Sequence, residues 1–73
     1  MEIRYVLTED KHVVDGRIYI FYGIAVLEEE RVLLSARDFS TDRARVEALI
    51  EKCNRLGLAP IHLRDVVEDF LAT

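Results

Sequence analysis

The stretch Val-Val-Asp-Gly-Arg-Ile, residues 13–18, decides the fold of this 73-residue chain. An Asp-Gly pair between two apolar runs favours a type I′ turn, because both central residues adopt positive φ and the twist suits paired strands. A two-residue turn also sets the register of the strands on either side of it. The pairs predicted are Val14 with Arg17, Val13 with Ile18, Leu7 with Ile24, and Tyr5 with Val26.

This register sorts the apolar side chains of the hairpin into two sets, since paired residues share a face and faces alternate along a strand. One set, on what we call the core face, is Ile3, Tyr5, Leu7, Val13, Ile18, Ile20, Tyr22, Ile24 and Val26. The other set, on what we call the second face, is Val6, Val14, Tyr19, Phe21, Ala25 and Leu27. The second strand is thus apolar on both sides, as a central strand would be. Gly23 in its middle predicts a bulge or a close approach of another backbone.

A run of three glutamates, residues 28–30, separates the second strand from a third, residues 31–39. Like charges favour solvent, so the run predicts a second hairpin loop, but it leaves the loop length open. A two-residue loop puts Val32, Leu34 and Ala36 on the second face, and a three-residue loop puts them on the core face. We favour the three-residue loop because it enlarges the core.

Two helices follow the strands. Ser40 or Thr41 is expected to cap the first, with Asp42 favourable at its positive end, and Gly57 suits its C-terminus. Pro60 fits the first turn of the second helix, because proline has no amide hydrogen to lose there. The apolar positions at helical spacing are Val46, Leu49, Ile50, Cys53 and Leu56 in the first helix and Leu63, Val66, Val67, Phe70 and Leu71 in the second.

The predicted fold is therefore α+β, a three-stranded antiparallel meander followed by two helices (β-β-β-α-α), in one domain covering residues 1–73. We expect strands at about 2–14, 17–27 and 31–38 and helices at about 41–56 and 60–71. Both helices are expected to pack largely on the core face; the alternative is one helix on each face.

Composition excludes several classes of function. The net charge is −4, from 10 basic and 14 acidic residues, so we expect no nucleic-acid partner. The longest apolar run, residues 18–27, is too short for a bilayer, and the first residues lack a signal-peptide pattern, so we expect a cytoplasmic protein without membrane contact. Cys53 is the only cysteine, so no intrachain disulfide forms. We expect no cofactor, and a partner subunit as the support that so small a core needs.

The C-terminal sequence Leu-Ala-Pro-Ile-His-Leu-Arg-Asp-Val-Val-Glu-Asp-Phe-Leu, residues 58–71, resembles the signature of a family of small uncharacterised bacterial proteins. Tyr-Gly-Ile at residues 22–24 also fits that family. The resemblance implies a domain of unknown function and brings no activity, cofactor or functional residue with it. Ala59 stands where the family often has a small hydroxylated residue, so we expect the second helix to lack a side-chain N-cap.

Two groups of residues are candidates for function. His62, Asp65 and Asp69 would share one side of a continuous helix and could form a carboxylate-oriented base or a weak metal site, although a solvated acidic face explains them as well. Val6, Tyr19, Phe21 and Leu27 form an apolar patch on the second face, typical of an interface. We therefore favour a small non-enzymatic protein-interaction module, a homodimer or a partner-binding domain. The alternative is a small-molecule or metal-dependent enzyme that uses the His62 cluster.

Overall fold

The computed structural model describes residues 2–72. Its strands are β1 (Ile3–Val14), β2 (Arg17–Glu28) and β3 (Arg31–Ser40), and its helices are α1 (Arg43–Leu56) and α2 (Leu63–Ala72), with a 3₁₀ turn at Pro60–His62 between the helices. The strands form one antiparallel sheet in the order β1-β2-β3. The predicted α+β plan of three strands followed by two helices is confirmed.

The first hairpin has the predicted register throughout. Val14 pairs with Arg17, and the pairing continues without interruption to Ile3 and Glu28. Asp15 and Gly16 have φ values of 51° and 77°, as the type I′ turn requires. The turn residues and the alternating apolar pattern therefore specify the same register, which is the condition for a well-defined pairing.

The second hairpin differs from the prediction. Glu28 pairs with Arg31, so the loop has two residues, Glu29 and Glu30, both at positive φ, and the predicted three-residue loop is wrong. A bulge then shifts the register between the pairs Leu27–Val32 and Val26–Leu34. Leu34 and Ala36, opposite Val26 and Ile24, consequently lie on the core face, whereas Val32 lies on the second face. Neither simple loop length describes this strand, because the extra residue sits in the strand and not in the loop.

Gly23 lies at a bulge and also where another backbone approaches closely, the two alternatives that the sequence predicts for it. The register of β2 and β3 shifts between Tyr22 and Ile24, the residues on either side of it. A Cβ atom at Gly23 would lie 2.6 Å from the Cα atom of Arg37 and 2.8 Å from the Thr8 side-chain hydroxyl. Only glycine therefore lets β3 cross so close to the centre of β2.

The core lies between the sheet and both helices, on the core face. Its buried members are Tyr5, Ile24, Val26, Val46, Ile50, Cys53, Leu63 and Val67. Both helices thus pack on one side, as expected. Among residues 2–72, no helix packs on the opposite side of the sheet.

The ends of the helices follow local chemistry. The N-cap of α1 is Asp42, whereas we expected Ser40 or Thr41. The Asp42 carboxylate accepts a hydrogen bond from the Arg45 amide at 3.1 Å. Ser40 still belongs to β3, which runs further than the pattern indicates. Gly57 ends α1 in the predicted left-handed conformation, at φ 62°.

The second helix begins in two stages. Pro60 opens a 3₁₀ turn in which the His62 amide donates to the Ala59 carbonyl at 2.9 Å, and the α-helix starts only at Leu63. Ala59 provides no side-chain cap, as expected from the sequence. Without a capping oxygen, a tighter 3₁₀ turn satisfies part of the exposed backbone at this end.

Candidate functional site

The second face of the sheet carries apolar side chains that the helices leave uncovered. Val6, Phe21 and Leu27 are only partly buried there, and Tyr19 keeps 39% of its surface exposed. The bulge in β3 adds Val32, which is 63% exposed, to the same face. All four predicted patch residues lie on this face, but in two parts: Tyr19 and Phe21 toward the Asp15–Gly16 turn, and Val6 and Leu27 toward the other end. Thr8 and Ala25 between them are buried, at 7% and 5% exposure, where β3 passes over Gly23.

The end of the first hairpin, residues 11–20, projects beyond the helices and is exposed at every position; we call it the hairpin tip. Arg43, the first residue of α1, lies over the Tyr22 ring at 5.9 Å and near Glu9 at 3.6 Å, and the helix runs from there away from the tip. The core face of the tip therefore has no helix above it. Val13 and Ile18, on that face, are 67% and 62% exposed.

A network of four charged or polar side chains crosses the second face beside Phe21. Arg37 donates two hydrogen bonds to Asp10, at 2.9 and 3.1 Å, and His12 contacts Asp38 at 3.0 Å. The His12 ring also meets Phe21 edge-to-face, with 5.2 Å between ring centroids. Polar groups with defined geometry thus stand directly beside the apolar patch.

The Arg37 guanidinium lowers the pKa of the Asp10 carboxyl, chiefly through its hydrogen bonds, and Asp38 and His12 contribute in the same direction. The predicted register places Asp10 and His12 on the second face, but Arg37 and Asp38 reach them only because β3 bulges there. Asp38 has φ 57°, a conformation that aspartate tolerates better than most residues. No pattern in residues 31–39 indicates this bulge. Because the network depends on the bulge, it could not be predicted from the sequence.

The second predicted group, His62, Asp65 and Asp69, lies at the other side of the molecule. His62 belongs to the 3₁₀ turn and both aspartates to α2, and all three are exposed. The 3₁₀ turn changes the angular offset that a continuous helix would give His62. Within residues 2–72 no hydrogen bond or ion pair joins His62 to either carboxylate, and no group of three or more His, Cys, Asp or Glu side chains could hold a metal ion.

Cys53 lies in the core at 3% exposure, as the helical pattern indicates. Burial raises the pKa of its thiol, and neighbouring Lys52 offsets only part of the rise. The thiol faces an apolar groove of about 270 Å³ between α1 and α2, which Leu49, Leu56 and Phe70 also line. Cys53 is therefore a packing residue of the core, as the apolar stripe of the first helix indicates.

Comparison with known proteins places the chain in a family but supplies no activity. The sequence model of a family of unknown function, DUF6514, matches residues 1–73. No curated protein and no solved structure is significantly similar to the chain. Across residues 2–72, no helix has both the length and the apolar character needed to cross a membrane.

Proposed function

The chain belongs to this family of unknown function, and from that premise we propose that it is a small non-enzymatic protein-interaction module that binds through the second face. One observation carries the proposal: a central strand that is apolar on both sides is covered by helices on only one. The bound protein is a second copy of the chain, giving a homodimer, or another protein. Exposed apolar side chains on a sheet face that no helix covers are typical of interfaces in soluble proteins.

The composition of the second face supports a specific interface. Tyr19 and Phe21 are aromatic, the residue class enriched at the centre of protein interfaces. The adjacent Asp10–Arg37 and His12–Asp38 pairs supply polar groups at fixed positions, which select partners by charge. Apolar area would provide the affinity and the polar network the specificity.

The setting of the protein is part of the same proposal. A single cysteine and an acidic net charge of −4 support a cytoplasmic protein with no nucleic-acid partner. The resemblance of residues 58–71 to a signature of small bacterial proteins supports a bacterial source.

The substitution Phe21→Glu tests the proposal, since it puts a charge in the middle of the patch. Ile61→Glu is the matched control, because Ile61 is 82% exposed and lies in the 3₁₀ turn, away from the sheet. Sedimentation equilibrium from micromolar to hundreds of micromolar gives the mass, and binding of an apolar fluorescent dye reports free apolar surface. We expect Phe21→Glu to lower association, dye binding or both, and Ile61→Glu to leave both unchanged. A monomer whose dye binding is the same with and without Phe21→Glu would overturn the proposal.

A further inference from the structure

The outer edge of β1 is a second, separate surface. We propose that two copies of the chain pair there as antiparallel strands, with Glu9 of each copy opposite Lys11 of the other and Asp10 on the two-fold axis. The pairing goes beyond the proposed function, because it uses backbone groups at the sheet edge and not the side chains of the second face. Three features support it: the limits of the open edge, its charge pattern and the state of Asp10.

The open part of the β1 edge has defined limits. Val14 and Arg17 close the first turn, so the even-numbered residues of β1 bond to β2 and the odd-numbered ones point outward. At Tyr5 the outward groups are already occupied: the Asn54 side chain accepts from the Tyr5 amide at 2.8 Å and donates to its carbonyl at 2.9 Å. No such partner meets the outward backbone groups of Leu7, Glu9, Lys11 and Val13 among the described residues. The open edge therefore runs from Leu7 to Val13, and its centre is Asp10.

Charge selects one register within this edge. Hydrogen bonding between two β1 edges requires odd-numbered residues to face odd-numbered residues. Centring on Glu9 pairs Glu9 with Glu9, each also 3.6 Å from its own Arg43, and Leu7 with Lys11; centring on Lys11 pairs Lys11 with Lys11 and Glu9 with Val13. Neither register forms an opposite-charge pair across the edge. Centring on Asp10 instead pairs Glu9 with Lys11 twice. The same register sets Leu7 of each copy opposite Val13 of the other, so the apolar positions match as well.

The Asp10 carboxylate has an intrachain partner that reduces the repulsion expected at the two-fold axis. Two identical carboxylates directly opposite each other would repel. Arg37, which comes from β3 on the far side of β2, engages both oxygens of Asp10 within its own chain. Each carboxylate is thereby neutralised from the side that faces away from the axis. The cost of bringing the two copies together at this point is reduced accordingly.

The pairing joins two three-stranded sheets into one continuous sheet. Both second faces then lie on the same side, because side-chain orientation is preserved across paired strands. In this register Val6 of one copy stands opposite Val14 of the other, just beyond each end of the open edge, so apolar side chains also meet on the second face. The exposed hairpin tip gains a neighbour along its edge, where unpaired strand groups are otherwise a site of unspecific pairing.

Charge reversal tests the register. In Lys11→Glu, two glutamates face each other at both symmetric positions, and association should weaken about tenfold. Glu9→Lys should do the same; because it also removes the intrachain Glu9–Arg43 contact at 3.6 Å, its effect is compared with that of Arg43→Ala, which removes only that contact. The double variant Glu9→Lys with Lys11→Glu should recover to within about threefold of the original, and a mixture of the two single variants should form heterodimers. Lys52→Glu, the same change at the only other lysine, is the control and should have no effect. Circular dichroism checks that each variant is folded.

Amide hydrogen exchange adds a measurement independent of charge. The Glu9 and Lys11 amides should become protected as protein concentration rises, whereas the Asp10 amide, already bonded to β2, should be protected at every concentration. The pairing would be overturned if the single charge reversals left the association constant within about twofold, or if the double variant associated more weakly than the single variants. It would also be overturned if the Glu9 and Lys11 amides stayed unprotected in the associated protein. The second-face proposal has its own test in Phe21→Glu, so either can fail alone.

Discussion

The side-chain amide of Asn54 in α1 makes the two backbone hydrogen bonds to Tyr5 of β1 that a neighbouring strand would otherwise make. It accepts a hydrogen bond from the Tyr5 amide and donates one to the Tyr5 carbonyl, at 2.8 and 2.9 Å. The Tyr5 hydroxyl in turn donates to the Leu58 carbonyl just after α1. One residue pair therefore fixes the helix to the sheet, satisfies the strand edge and limits where another strand can pair.

Removing the Asn54 amide should be costly. We expect Asn54→Ala to lower the free energy of unfolding by about 1–3 kcal/mol, because it leaves the partly buried amide and carbonyl of Tyr5 without partners. The neighbouring change Arg55→Ala, at an exposed position, should stay within about 0.5 kcal/mol. Urea unfolding followed by circular dichroism measures both. Equal free energies of unfolding for the two variants would show that the Asn54 hydrogen bonds make no net contribution to stability.

The core can be tested within a single helix. Leu63 is 0% exposed and Leu71 is 57% exposed, so the same substitution to alanine samples the interior and the surface of α2. We expect Leu63→Ala to destabilise by about 2–5 kcal/mol and Leu71→Ala by far less. Denaturant midpoints report the difference, and similar midpoints would contradict the packing of α2 on the sheet.

Gly23 should be the least replaceable glycine. A methyl group there would run into the β3 backbone, so we expect Gly23→Ala to destabilise by about 1–3 kcal/mol. Gly16→Asn is a suitable comparison, because a Cβ atom at Gly16 would have no neighbour within 4 Å and asparagine tolerates the positive φ of the turn. Thermal unfolding of both variants checks this. A Gly23→Ala protein as stable as Gly16→Asn would mean that β3 does not cross so closely.

The Asp10–Arg37 pair predicts how stability depends on pH. Arg37 holds the pKa of Asp10 below its ordinary value in the folded chain, so the carboxylate favours folding at any pH above the unfolded-state value of about 3.9. That contribution is lost as pH falls through the lower, folded-state pKa. Substituting Arg37→Ala should move the pKa of Asp10 upward, toward its ordinary value.

Carboxyl NMR titration measures this pKa directly. An Asp10 midpoint that does not move in Arg37→Ala would show that the guanidinium is not its main partner.

Much of this fold is predictable from local chemistry. The Asp15–Gly16 turn specifies the first hairpin, and Gly57 and Pro60 mark the end of one helix and the start of the next segment. These signals work because each residue satisfies a backbone conformation on its own, without help from distant parts of the chain. The uncovered second face follows from the same register together with the number of helices available.

Several of the features that the sequence did not predict depend on β3. Its bulges place Leu34 on the core face despite a two-residue loop, and bring Arg37 to Asp10. One of these bulges lies beside Gly23, where the β3 backbone passes closest to β2, a contact between residues far apart in the sequence. The Asn54–Tyr5 contact likewise needs the helix position to be known first. Long-range packing, and not local propensity, determines these parts of the molecule.

The central claim is that the second face is a protein-binding surface. Amide chemical shifts measured over a dilution series test this claim most directly. An apolar dye is then titrated into the dilute sample and the shifts are measured again. We predict concentration- or dye-dependent shifts at Tyr19, Phe21 and Leu27, and unchanged shifts around Ile61 and Leu71 at the helical side. Shifts confined to the helical side, or none at all under either titration, would contradict the account.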